Sequence, residues 1–95
     1  MDNKFRKVYL KCESVEGGMF DNEYAVEVLD IKGKKISLFA YHSLVSDDKR
    51  FLEVILVGEM DMVYYVVLPD VPFEDSGVVI AVPKEMIFEL TEDKK

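Results

Sequence analysis

The chain has 95 residues, 49% of them apolar and 33% charged, with six Phe, five Tyr and no Trp. That is enough for one domain around one modest core, with little chain left to build a deep substrate cleft. The net charge is −7, residues 1–50 being neutral overall and residues 51–95 carrying all of it, which works against long-range attraction to a phosphate backbone. The single cysteine, Cys12, rules out an intrachain disulfide. The first seven residues lack the apolar stretch of a signal peptide, and the longest apolar run, Met62 to Leu68, falls far short of the ~20 residues a membrane span needs. A cytoplasmic protein with no membrane contact is expected.

Apolar residues recur with a period of two almost throughout, and no segment sustains a period of 3.6, so the expectation is all-β. In the first strand Val8, Leu10 and Cys12 share one face, and Lys7, Tyr9 and Lys11 the other. Glu16-Gly17-Gly18 ends it. Tyr24–Asp30 and Lys34–Tyr41 form a hairpin, for which a three-residue loop with Gly33 in the left-handed region pairs Val28 with Ile36, Val26 with Leu38 and Tyr24 with Ala40. A two-residue loop would set Val28 against Ser37 and Glu27 against Leu38, so the apolar pattern selects the longer loop. His42 to Arg50 is a polar connection. Phe51–Val57 and Met62–Leu68 follow as strands. Their register stays open, because a two- or four-residue loop puts Tyr64 and Val66 on the face of Phe51 and Ile55, and a three-residue loop puts Val63, Tyr65 and Val67 there. Pro69 and Pro72 forbid regular pairing in the long loop 69–77. Val78–Val82 is a strand, Met86–Leu90 a short apolar end, and 91–95 a frayed tail.

Six to seven short strands in one domain, 1–95, suggest a small antiparallel barrel, with OB-like barrels and compressed sandwiches as the other topologies. The segment Val82-Pro83-Lys84-Glu85-Met86, placed before a last strand, resembles the closing turn of SH3-like barrels, and that resemblance favours an SH3-like arrangement.

Candidate chemistry is thin. His42 lies between Tyr41 and Ser43, with Asp47 and Asp48 close behind, but adjacent strand residues point to opposite faces, so Ser43 and His42 diverge and no Ser–His–Asp set forms. A small enzyme would need a site built across a dimer seam near His42. Cys12 alternates with Val8 and Leu10 and reads as a small core hydrophobe, since a reactive thiolate wants exposure and cationic neighbours. The acidic positions Asp21-Asn22-Glu23, Asp47-Asp48 and Glu74-Asp75 lack the spacing of a calcium loop, and no His/Cys set suits zinc. No catalytic residue, metal site or cofactor is expected.

Two surfaces stand out. Phe5, Lys7, Tyr9 and Lys11 line one side of the first strand and mix rings with cations, as single-stranded nucleic-acid sites do, against which stands the acidic balance of the chain. The stronger signal is surplus apolar surface in segments 51–57, 62–68 and 78–82. Leu52, Val54 and Leu56 fill one face, and Phe51, Ile55 and Val57 occupy the other. An antiparallel barrel has a single interior, so its strands should alternate. Something must cover the second face: a second copy of the chain or another protein, or else the 69–77 loop and the Met86–Leu90 end folded back. The expected function is a non-enzymatic, self-associating interaction module, with Phe51, Ile55, Val57, Tyr64, Val66 and Val79 as interface residues.

Overall fold

Alternation sorts the side chains onto two faces, and eight strands follow that pattern. The computed structural model describes residues 5–73 and 77–89; the expected tail, 91–95, and Glu74-Asp75 lie outside them. The strands are β1 (Arg6–Lys11), β2 (Ser14–Gly17), β3 (Glu23–Leu29), β4 (Lys35–Tyr41), β5 (Phe51–Met60), β6 (Val63–Val67), β7 (Val79–Pro83) and β8 (Ile87–Glu89). Short 3₁₀ turns at His42–Leu44 and Lys84–Met86 precede β5 and β8. All pairings are antiparallel, in a five-stranded sheet of order β7-β6-β5-β1-β8 and a three-stranded sheet of order β2-β3-β4.

The inner faces share one core. Val8, Leu10, Leu52, Val54, Val66 and Val82 from the larger sheet meet Val26, Val28, Ile36 and Leu38 from the smaller, all ten almost fully buried. No ladder joins the two sheets among the described residues, so the chain forms two facing sheets rather than the closed barrel of six or seven strands that the sequence suggests. The reason lies at the outer edges. The β7 and β4 edges are met by loop residues where closure needs a strand: Ile31 N–H donates to the Ala81 carbonyl of β7 (2.8 Å), and Phe73 N–H donates to the Ser37 carbonyl of β4 (2.7 Å). The crossing from one sheet to the other is made at Cys12-Glu13, whose N–H groups donate to the Arg50 and Glu27 carbonyls (2.8 and 2.7 Å). The first strand therefore ends at Lys11, and the residues after the crossing form β2, which the sequence pattern does not announce.

The β3–β4 hairpin has the register its apolar pattern selects, with Val28 opposite Ile36, Val26 opposite Leu38 and Tyr24 opposite Ala40. Gly33 takes φ +81°, and Asp30 Oδ1 accepts from the N–H groups of Lys32 and Lys34 at 2.9 Å each, bracing the loop.

The β5–β6 hairpin answers the open question of register. Its turn is the two-residue Asp61-Met62, with φ of 53° and 70°, which alone would place Tyr64 and Val66 on the face of Ile55. Between Leu56 and Gly58, however, the register shifts by one, leaving Val57 without a partner, so that Ile55 faces Val67 and Leu56 faces Val66. A bulge of this kind sets two residues against one. Both turn positions suit glycine or asparagine, and Met62 bears the cost of a side chain in the left-handed region. Met62→Gly is therefore expected to raise stability by about 1 kcal/mol, read as a higher urea midpoint with an unchanged slope. A lower midpoint would show that Met62 is held there by a contact worth more than the strain.

Candidate functional site

The outward face of the larger sheet holds most of the residues singled out by the sequence. Across its three strands the ladder gives the rows Ile55–Val67–Val79, Gly58–Tyr65–Ala81 and Met60–Val63–Pro83. None of these nine positions is charged. Ile55 is 39% exposed, Val79 51% and Met60 62%, and the others except Gly58 are apolar or aromatic and half-buried. Beyond these nine positions the outer face is charged: Glu53 of β5 stands two residues before Ile55, and Lys7, opposite Ile55 on β1, lies with its Nζ 3.6 Å from a Glu53 carboxylate oxygen.

The structure turns two of the residues expected at the interface, Val66 and Tyr64, toward the core, and places a third, Val57, in a bulge. Val66 is fully buried, Tyr64 packs against the core, and Val57 is the unpaired residue of the bulge. The bulge is the physical cause, because it moves Val63, Tyr65 and Val67 outward in place of Tyr64 and Val66. Ile55 and Val79 stand on the outer face as assigned. Phe51 is there too, half-buried among aromatic neighbours. The alternative of intramolecular cover is realised in one corner: β8 adds to the β1 edge and Phe88 meets Phe51 edge-on at 5.0 Å. The described part of the long loop goes elsewhere, with Phe73 against Phe39 of β4 at 4.8 Å.

That corner forms a site the sequence did not assemble. Tyr9 and Phe51 have ring centroids 5.7 Å apart, and with Phe88 they make a three-ring cluster drawn from β1, β5 and β8. Beside it runs an open groove of about 490 Å³, lined by the three rings and by Ser46, Asp47, Asp48 and Glu89. The Ser46 hydroxyl donates to Asp48 at 2.6 Å. That bond does most to hold the Asp48 carboxyl below its ordinary range; burial works against it, and the Arg50 N–H and guanidinium add smaller lowering effects. Phe88 was hidden in the sequence because it belongs to a three-residue strand; its place as an aromatic in the terminal apolar segment was the available signal.

The N-terminal basic and aromatic residues sit as their alternation demands. Lys7, Tyr9 and Lys11 face outward opposite Ile55, Glu53 and Phe51, and Phe5 is 73% exposed. Tyr9, however, packs on Phe51 instead of standing free to stack on a base, and Lys7 already faces Glu53.

His42 is exposed and lies flat on the Tyr24 ring at 4.0 Å, while Lys49 Nζ sits 5.4 Å from the centre of the same ring. Among the described residues the His42 ring makes no hydrogen bond or ion pair to Asp47 or Asp48. Cys12 is half-buried, its Sγ 3.8 Å from the Leu10 carbonyl, and burial pushes its pKa up to about 12. Among the described residues no three His, Cys, Asp or Glu side chains group closely enough to hold a metal ion, and no helix is long and apolar enough to cross a membrane. No protein-family model, curated protein or solved structure matches the chain.

Proposed function

We propose that the protein is a non-catalytic interaction module that pairs with a second copy of itself through the outer face of β5, β6 and β7. The observation that carries this reading is the uncharged nine-position face built on Ile55, Val67 and Val79, since large exposed apolar patches are uncommon on monomers. A second copy fits it for two reasons. Two such faces meet without bringing like charges together, although each chain carries −7 overall. Twisted sheets of like curvature also pack face to face with strand directions about 30° apart, a geometry open to two copies of this face. At strand spacings of about 4.8 Å and about 3.3 Å per residue, the three-stranded face, about six residues long, offers roughly 300 Å² per copy. The total of about 600 Å² falls below the roughly 1,000 Å² of stable specific interfaces, so the dimer is weak and concentration-dependent.

Sedimentation equilibrium tests this. The wild-type mass should climb from 10.9 kDa toward twice that value as concentration rises, and higher salt should favour the dimer by screening the mutual repulsion. Ile55→Lys, which places a charge in the middle of the dry contact, should hold the protein monomeric, as should Val79→Lys. A mass that stays monomeric throughout, or one unchanged by both substitutions, contradicts the proposal.

The pairing of β1 with β5, the return of β8 to β1 and the 3₁₀ turn at Lys84–Met86 support reading the two sheets as an SH3-like barrel left open at its edges. Nucleic-acid binding is disfavoured by the carboxylates of Glu53, Asp47, Asp48 and Glu89 around Tyr9, which repel phosphate.

A further inference from the structure

We infer that the groove beside Tyr9, Phe51 and Phe88 is a receptor for the cationic side chains of an extended basic peptide. The groove lies on the β1–β8 side of the sheet, apart from the proposed dimer contact. Its apolar wall is the three-ring cluster, and the faces and edges of those rings, at 5.0 and 5.7 Å centroid spacings, give a guanidinium or ammonium ion a π surface to lie against. Its other wall is anionic: Asp47, Asp48 and Glu89 line it and no Lys or Arg does.

The three carboxylates are not equivalent. Glu89 is bound by Arg6 at 2.8 Å, and Asp48 is engaged by Ser46 and the Arg50 N–H. Asp47 makes no hydrogen bond or ion pair among the described residues, so it is the carboxylate left to meet an incoming charge. A volume of about 490 Å³ admits an arginine side chain with part of its backbone. A metal ion is too small to span the arrangement, since no three of these groups converge on one point. A phosphate ligand would face the same carboxylates with the wrong sign. Arg6 on Glu89 and the Arg50 guanidinium beside Asp48 already offset two of these carboxylates, and Lys11, opposite Phe51 in the ladder and exposed, is a further cation that competes with the ligand.

The probe is an eight-residue capped peptide alternating Arg and Thr, titrated into the ¹⁵N-labelled full chain and followed by amide shifts. Its Glu-Thr counterpart and an octathymidylate serve as the anionic arms. Shifts are expected at Tyr9, Asp47, Asp48, Phe51 and Phe88, with affinity falling as salt rises. Asp47→Asn and Phe88→Ala should each weaken binding by about three- to fivefold, and Lys11→Ala should tighten it. Val79→Lys lies three strands away, about 14 Å and beyond the screening length of about 10 Å at 0.1 M salt, so it should leave the affinity unchanged while removing the dimer. Failure of the two proposals is thereby distinguishable. Equal affinity for wild type, Asp47→Asn and Phe88→Ala overturns the assignment, as do shifts spread over the acidic surface or tighter binding of either anionic arm. Folded spectra for each variant exclude trivial loss.

Discussion

Leu10→Ala is expected to lower the unfolding free energy by about 3 kcal/mol, within the ~2–5 kcal/mol range of buried leucine truncations. Leu10 is fully buried and stands on an interior strand of the larger sheet, opposite Leu52 on β5 and Ile87 on β8. Its inner-face neighbours are β-branched or otherwise held in ladders, so the space left by three carbons closes only in part. For a domain of this size, whose whole stability is of order 5–15 kcal/mol, that loss moves the urea midpoint well clear of error. Val79→Ala on the exposed outer face should cost well under about 1 kcal/mol in the monomer. Equal losses at the two sites would mean that Leu10 is not in the core.

The second large effect concerns Cys12. At pH 8 its alkylation by iodoacetamide should be at least about a thousandfold slower in the native protein than in urea. Burial lifts the thiol pKa from 9.0 to about 12, so the reactive thiolate is correspondingly rare, and partial occlusion slows attack further. The linkage runs in the matching direction. The folded-state pKa is raised, so the stabilising contribution is complete below pH 9.0 and is lost as pH rises toward about 12, because the unfolded thiol ionises first. Native and unfolded rates within tenfold of each other would show that the thiol is exposed, and would reopen a chemical role for it.

Local alternation made some of this molecule readable and left the rest hidden for identifiable reasons. The β3–β4 register was legible because Tyr24, Val26 and Val28 alternate with polar or small residues and Gly33 marks the left-handed position. The β5–β6 register was not, because Val57 is an apolar residue among apolar residues and nothing in its identity marks a bulge. β2 offers one apolar side chain, Val15, in a four-residue strand, too little for a period to register. Surplus apolar character in 51–82 pointed to a second apolar face, and the outer rows of β5, β6 and β7 supply one, with Ile55 and Val79 exposed on it and Val66 turned inward. The aromatic groove depends on bringing Tyr9, Phe51 and Phe88 together across adjacent strands. That juxtaposition follows from β1 lying between β5 and β8, a long-range fact no local pattern contains. The same fact changes the meaning of Lys7, Tyr9 and Lys11. Alone they form a basic, aromatic strand face, but among Glu53, Asp47 and Glu89 they lie at the border of an anionic groove.

Isotope-filtered NOEs in a one-to-one mixture of ¹³C-labelled and unlabelled chains, at about 1 mM so that even a weak dimer is populated, test the central claim most directly. Intermolecular contacts should join the Ile55, Val67 and Val79 methyls of one copy to the same residues of the other. Their absence, or intermolecular contacts confined to the β2-β3-β4 sheet, would contradict it.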